Sequence, residues 1–482
     1  MVKPGICLIW YNGNPNLAKW MQEYTTAWVQ VARKTDKGKP ENVIPGGVVF
    51  ATEELGGPSS KTWYGALGPH SYDWTDGVWP LEEMYAHLVA SYLLFVDKRY
   101  LEPVETLFAL NFNTKTYTGG GDLKDIAFVA KLAKHFDSVV QFYRVMTKRE
   151  KFDQYIQGFS RIYGGYPSFL ITGDKRYIIS SAEKLHKLVK DNIYRWTEHP
   201  IMRQTDKAKR AYDVFRFLAC VYLGGSGLTR ARYPGMAVSW EGTGYDFAAL
   251  IMDSRRDYLK VLVYNFEERA KIIGLRLWQI ERGIYKVKIG SDKDEDDVMD
   301  SISKSYRMEI VERGQTIPVE LPSRILQVIE INQSSSSGIR WTDLTDVTIS
   351  SEDVMLEPPN PKGGDIVQAK IKVHNISSKE AKDVQIGIFS GFPSKGGKLL
   401  ASSQIGRIAP PDDLQPKRVD IVMKFQLPSE QGNFYISLDP SYEITEITER
   451  NNLVVYEGGK LVSPVEIEWK RLPHVRPWLR IE

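Results

Sequence analysis

A chain of 482 residues is too long for one hydrophobic core and calls for roughly two to four domains. With 42 % hydrophobic and 26 % charged residues it has the composition of an ordinary globular protein. Lys plus Arg number 63 against 60 Asp plus Glu, so no strong field favours nucleic acid or an anionic membrane, and nucleic acid is set aside as a partner. Cys7 and Cys220 cannot build a disulfide framework, and no run approaches a transmembrane segment. The opening MVKPGICLIWYNGNPN is too interrupted for a secretion signal.

Residues 1–235 read as helical. In 16–32, Leu17, Trp20, Met21, Tyr24, Trp28 and Val31 recur at steps of three and four. Further helices are expected over 81–95, 97–110, 123–146 and 175–195, and 211–223 is apolar almost all round. SYLLFVDKRYLEPVETL from Ser91 matches SFLITGDKRYIISSAEKL from Ser168, and FYRVMTKREKF from Phe142 is a third copy. Repeated helical hairpins imply a stacked solenoid or a closed ring. The unit "apolar helix, DKRY, amphipathic helix" resembles the hairpins of (α/α) toroid carbohydrate-active enzymes, glycoside hydrolases and polysaccharide lyases, over about 80–225. A plain helical scaffold is the alternative.

Beyond Tyr233 the period changes. DFAALIMD, YLKVLVYNFE, KIIGLRLWQIE, GIYKVKIG, SYRMEIVE and RILQVIEIN are short, β-branched and separated by turns, which predicts an antiparallel sandwich over 236–333. It resembles the β-sandwich that often follows a glycoside hydrolase catalytic domain. Ser-rich 334–342 reads as a linker. A second sandwich is predicted over 343–458, where Val367, Ala369, Ile371 and Val373 alternate, as do Val419, Ile421, Met423 and Phe425; residues 459–482 form a tail. DLTDVTISS, VHNISSKEAKDVQIGIF and ISLDPSYEITEITERNN resemble the immunoglobulin-like CARDB module, the cell-adhesion-related domain of bacterial and archaeal surface proteins. That resemblance implies an extracellular or cell-surface protein whose signal peptide lies outside this chain. The fold class expected is therefore multidomain α + β, a toroid-like helical domain followed by two antiparallel β-sandwiches, the last immunoglobulin-like.

TWYGALGPHSYDWTDGVWP, from Thr62 to Pro80, concentrates aromatics and acids between two predicted helices. A sugar ring offers apolar faces and a rim of hydroxyls, and its sites pair aromatic platforms with carboxylates and imidazoles. Trp63, Tyr64, Trp74 and Trp79 are candidate platforms, with Glu82 and Arg203 as further substrate contacts. Asp73, Asp76, Glu53, Glu54, His70 and Tyr72 are candidate catalytic residues. Glycoside hydrolysis needs two carboxylates about 5–10 Å apart, whereas a lyase would use Tyr or His as base. The competing reading is a structural plug, with Pro80 and Glu82 merely opening a helix.

GSDKDEDDVMDS, at 290–301, places Asp292, Asp294 and Asp296 at alternate positions, which suits Ca²⁺. Asp297 stands where an EF-hand has glycine and Ser303 where it has glutamate, so a solvated acidic hairpin is the favoured reading. Beyond that cation no cofactor is expected. The partner expected is a polysaccharide or oligosaccharide, with cell-surface or homo-oligomeric contacts open. Two functions compete: a glycoside hydrolase or polysaccharide lyase, and a non-catalytic adhesion protein that binds glycan or assembles through its sandwiches.

Overall fold

The computed structural model describes residues 2–49, 51–57, 60–64, 79–112, 117–133, 136–156, 165–198, 217, 219–225, 235–244, 246–412, 415–430 and 432–463. The chain forms two compact units. One comprises Met1–Cys7, Ala18–Ala237 and Leu250–Ser254; the other comprises Leu8–Leu17, Val238–Ala249 and Arg255–Glu482.

Helices α1 (Val2–Asn12), α2 (Pro15–Arg33), α3 (Trp79–Phe95), α4 (Glu102–Phe112), α5 (Leu123–Ala133), α6 (Asp137–Thr147), α7 (Asp153–Ile156), α8 (Gly165–Thr172) and α9 (Arg176–Glu198) come first. In the helical unit, packing runs from α5 to α4, α3, α6, α8 and α9 in turn. This is a stack of neighbouring hairpins; closure into the toroid expected from the sequence is not among what the described residues show. Tyr85, Ala86, Leu88, Val89 and Ala90 of α3 are fully buried; α3 packs on α6, where Val139, Phe142 and Tyr143 are buried as well. On α2 the buried ridge is Met21, Thr25, Val29 and Ala32, and Trp20, placed by its periodicity on the apolar face, is 56 % exposed. Apolar spacing marked the helix but not which of two adjacent stripes faces inward, because a polar Thr25 occupies the centre of the buried one.

The two DKRY turns have the same bonding. The Asp97 carboxylate accepts from Arg99 N at 3.0 Å and pairs with the Arg99 guanidinium, and Asp174 does the same with Arg176 at 2.9 Å. Each carboxylate thereby satisfies a helix-opening N–H that has no intrahelical acceptor. Tyr100 is buried, and Tyr177 packs against the cluster of Val145, Tyr166 and Phe169.

After the short hairpin β1 (Val48–Val49) and β2 (Glu54–Leu55), the chain enters its sheets with β3 (Val238–Glu241), β4 (Phe247–Ser254), β5 (Tyr258–Asn265), β6 (Lys271–Leu277), β7 (Gly283–Ser291), β8 (Ser301–Ile310), β9 (Thr316–Leu321) and β10 (Gln327–Ser336). They form sheets of order β4-β5-β10-β7-β8 and β3-β6-β9. Alternate residues, such as Leu259, Val261 and Val263 on one sheet and Ile317, Val319 and Leu321 on the other, are buried. The Ser-rich stretch read as the start of a linker is instead the end of β10: Gln333, Ser335 and Ser336 pair with Tyr285, Ile284 and Gly283. Serine is compatible with an exposed strand once a neighbouring backbone supplies the ladder, and composition carries no sign of that neighbour.

Residues 347–462 add β11 (Val347–Thr348), β12 (Val354–Glu357), β13 (Ile366–Asn375), β14 (Ala381–Phe389), β15 (Leu399–Ile408), β16 (Lys417–Gln426), β17 (Phe434–Leu438), β18 (Leu453–Glu457) and β19 (Lys460–Val462). One sheet joins β11, β12 and β16 to β13; the other has order β15-β14-β17-β18-β19. Val367, Ala369, Ile371 and Val373 meet Ile386, Ile388, Phe434 and Val454 in one core, with Val419 and Ile421 at its margin. The fold is thus mixed: amino-terminal helices followed by antiparallel sheets.

Candidate functional site

Of the residues singled out in the sequence, Asp73, Asp76, His70, Tyr72, Trp74 and Arg203 lie outside the described residues. Trp79 opens α3, and Glu82 stands half-buried in its first turn. Trp63 is fully buried. Its indole Nε1 donates to Asp125 Oδ2 at 3.0 Å, and its ring meets Tyr64 edge-on at 5.3 Å and Phe128 at 6.5 Å. A ring so enclosed presents no face to a ligand; it packs the helical core. Glu53 is exposed in a left-handed turn and bonds Lys34 at 2.5 Å, which holds its carboxyl below the usual range. Glu54 pairs with Lys37 at 3.0 Å. Each of these two acids has its own lysine, so the structure does not join them into a carboxylate pair.

A cleft of about 580 Å³ opens elsewhere in the helical unit, between Glu41, the outer face of α4, the Tyr117–Gly119 segment and α7. The loop carrying Glu41 is fixed from beneath. Buried Lys39 donates to the carbonyls of Ala32, Pro40 and Val43 at 2.6, 3.0 and 2.8 Å, which takes up all three protons of its ammonium. Burial draws its pKa down to about 7. From the other wall Tyr117 Oη donates toward the carbonyls of Gly120 (2.6 Å) and Glu41 (3.1 Å), and Glu41 N donates to Gly120 O at 2.9 Å. Burial pushes the Tyr117 phenol up to about 12, so it is a hydrogen-bond donor and no base at neutral pH.

Phe112, the last residue of α4, and Tyr155, on α7, stack with centroids 5.2 Å apart and planes 3° from parallel. Both are half-buried and line the cleft. Beneath them Phe108, Tyr143 and Phe152 pack edge to face at 5.4 to 6.0 Å, a rigid floor. Glu105, also in the lining, accepts from Lys151 at 2.5 Å and Tyr143 Oη at 2.9 Å, with Arg149 at 3.3 Å. Glu102 at the rim pairs with Arg33 at 2.7 Å. The arrangement offers aromatic faces beside three carboxylates, a lysine and the Gln154 amide. None of this formed a local motif, since the residues come from four segments spread over 115 positions. The one usable signal was the third hairpin copy, whose end supplies Lys151 and Phe152, with Tyr155 three residues beyond it.

The acidic hairpin between β7 and β8 brings Asp292, Asp294 and Asp300 within 4.8 Å of one another; Asp296 is not in that group. Asp292 is buried and accepts from Glu295 N and Asp297 N at 2.8 and 2.9 Å, and Asp296 accepts from Val298 N at 2.8 Å. These bonds account for the acids as turn-forming groups. Among the described residues no helix is long and apolar enough to cross a membrane.

No protein-family model matches the chain, and no curated protein matches it. A Geobacter metallireducens protein solved in solution aligns over 22 % of this chain and 91 % of its own, at 19 % identity and a TM-score of 0.18. A β-porphyranase of glycoside hydrolase family 86 from the human gut bacterium Bacteroides plebeius aligns over 44 % of this chain and 36 % of its own, at 8 % identity and a TM-score of 0.12. BuGH86wt, crystallised with neoagarooctaose, aligns over 44 % and 33 %, at 12 % identity and a TM-score of 0.13. The chain thus spans about a third of the latter two structures, and at these scores the likeness carries no argument about fold or activity.

Proposed function

We propose that this is an extracellular or cell-surface carbohydrate-active protein, and that its helical unit holds a polysaccharide or oligosaccharide in the cleft between α4 and α7. The observation that carries the reading is the half-buried Phe112 and Tyr155 pair beside Glu41, Glu102 and Glu105 in one cleft. Aromatic faces cover the apolar side of a sugar ring while carboxylates and amides bind its hydroxyls. The CARDB resemblance of 343–458 supports export. As a glycoside hydrolase the protein would draw its acid and base from Glu41, Glu105 or the Asp73 and Asp76 loop. As a lyase it would need another base than Tyr117.

A non-catalytic glycan-binding role is the second reading, and the bonding of Glu105 favours it. A carboxylate already engaged by Lys151, Arg149 and Tyr143 is placed to hold the cleft together rather than to exchange protons. A panel of plant, algal and bacterial polysaccharides, assayed for binding, for new reducing ends and for unsaturated uronate, separates the readings. Tyr155→Ala should weaken binding by about tenfold or more, roughly 1.4 kcal/mol, with little change in melting temperature. Glu41→Gln should abolish turnover if the protein is a hydrolase using that acid, and leave binding largely intact. No binding by any glycan in the panel would sink the proposal.

A further inference from the structure

We infer that the last sandwich binds one divalent cation of the calcium class through Asp439, Glu446 and Glu449. The loop between β17 and β18 folds these three acids together, and a ligand oxygen from each lies within 4.8 Å of the others. Asp439 and Glu446 are each only 1 % exposed. Among the described residues no lysine or arginine forms an ion pair with any of the three; the neighbouring Arg450 turns instead to Glu241 and Glu312, at 3.6 and 3.8 Å. Like charges gathered out of water without a cation repel one another.

A separate observation points to a ligand. Asn452, 4 % exposed, sits at the cluster with Nδ2 at 2.8 Å from Glu446 Oε1 and 2.9 Å from Glu449 Oε2, while its Oδ1 is buried with no hydrogen-bond partner. Buried carboxamide oxygens are normally paired. Rotating the amide by half a turn about Cβ–Cγ exchanges the two atoms: the bonds from Nδ2 to Glu446 and Glu449 are given up, Nδ2 takes the buried position where Oδ1 now finds no donor, and the oxygen faces the acids as a neutral fourth ligand to the cation. A cavity of about 230 Å³, lined by Asp439, Tyr442, Glu449 and Asn452, reaches the cluster and leaves room for water ligands.

The donor set is all oxygen, which selects hard cations over zinc or copper. The outer lone pairs are already engaged: Asp439 accepts from Glu443 N (3.1 Å) and Ile444 N (2.7 Å), and Glu446 from Val347 N (2.6 Å). Carboxylates pinned in this way form an irregular cage, which Ca²⁺ accepts with its variable coordination and Mg²⁺, demanding an octahedron, does not. Through Glu446 and its bridge to Thr345, the cation would tie the 439–452 loop to the start of the sandwich.

The test uses the full chain, freed of metal by chelator, titrated with CaCl₂ and with MgCl₂ by calorimetry, with hydrogen exchange followed on the same samples. A single Ca²⁺ equivalent should bind, slow exchange over 439–452 and raise the melting temperature, and Mg²⁺ at equal concentration should do much less. Glu449→Gln should weaken Ca²⁺ by at least about tenfold. Asp294→Asn, in the acidic hairpin, should leave it unchanged. Should Glu449→Gln fail to fold, the wild-type exchange map decides by itself. Protection confined to 290–301, affinity lost in Asp294→Asn rather than Glu449→Gln, or no Ca²⁺ binding at all would overturn the assignment.

Discussion

Trp63 and His87 show how burial decides the role of a residue whose type suggests chemistry. Trp63 stood out in the sequence as a sugar platform, and the same residues were equally compatible with a plug, because aromatic richness marks either. Its full burial and its bond to Asp125 settle its own place as core. Trp63→Ala should therefore cost about 3–5 kcal/mol in urea unfolding, and glycan affinity of the folded protein should be unchanged. His87 is buried on α3, with Nε2 2.9 Å from Thr25 Oγ1, and burial draws its pKa down to about 4. The unfolded chain takes up a proton below about pH 6.5 while the folded one stays neutral, so stability falls as pH drops from there toward 4. The share due to this group is roughly 2–3 kcal/mol at the acid end. Urea midpoints at pH 7 and pH 4.5 should differ less in His87→Gln than in the wild type. An equal difference would show that His87 is charged in the folded state or reached by water.

Elements were legible where their signals were local. The DKRY turns carry their caps within four residues, and the structure gives both the same hydrogen bonds. Asp97→Ala and Asp174→Ala should each cost about 1 kcal/mol, by matching amounts in thermal unfolding, because each removes one helix-opening acceptor. The alternating strands of the last sandwich were equally readable, since period two fixes which residues face the core. The cleft was not. Glu41, Phe112, Tyr117 and Tyr155 converge only through packing of α4, α7 and two loops, and no spacing along the chain announces that. The Ser-rich run failed for a related reason: its partner, Gly283–Tyr285, lies some 50 residues earlier. Limited proteolysis should accordingly spare 333–336 and cut sooner in exposed turns such as 394–398, where the strands end.

At the scale of the whole chain, the amphipathic pattern of the first helices reveals a face but not its partner. The segment Leu8–Leu17 belongs to the unit built by the sheets, some 300 residues away in sequence. There Tyr11 Oη donates to Asp346, and Asn12 Nδ2 donates to Ile376 O at 2.8 Å. Arg313 donates to the carbonyls of Trp10 (2.8 Å) and Tyr11 (3.2 Å), with its guanidinium 4.1 Å above the Trp10 ring. Gly13 ends α1 at φ +67, its N–H returned to Ile9 O at 2.9 Å, and a Cβ there would lie 2.9 Å from Thr342 Cβ. A side chain at this position therefore meets two obstacles, a left-handed backbone and a β-branched neighbour that cannot swing aside. Gly13→Ala should destabilise the sheet unit by roughly 1–2 kcal/mol. Trp10→Ala should act in the same direction by removing the ring under Arg313. Hydrogen exchange should quicken around 341–347 and 374–378 in both variants, with 85–90 of the buried helix α3 unaffected. Faster exchange in α3 and none in the sheets would mean that the segment supports the helical unit instead, and that its bonds to Asp346, Ile376 and Arg313 contribute little to holding the sandwich.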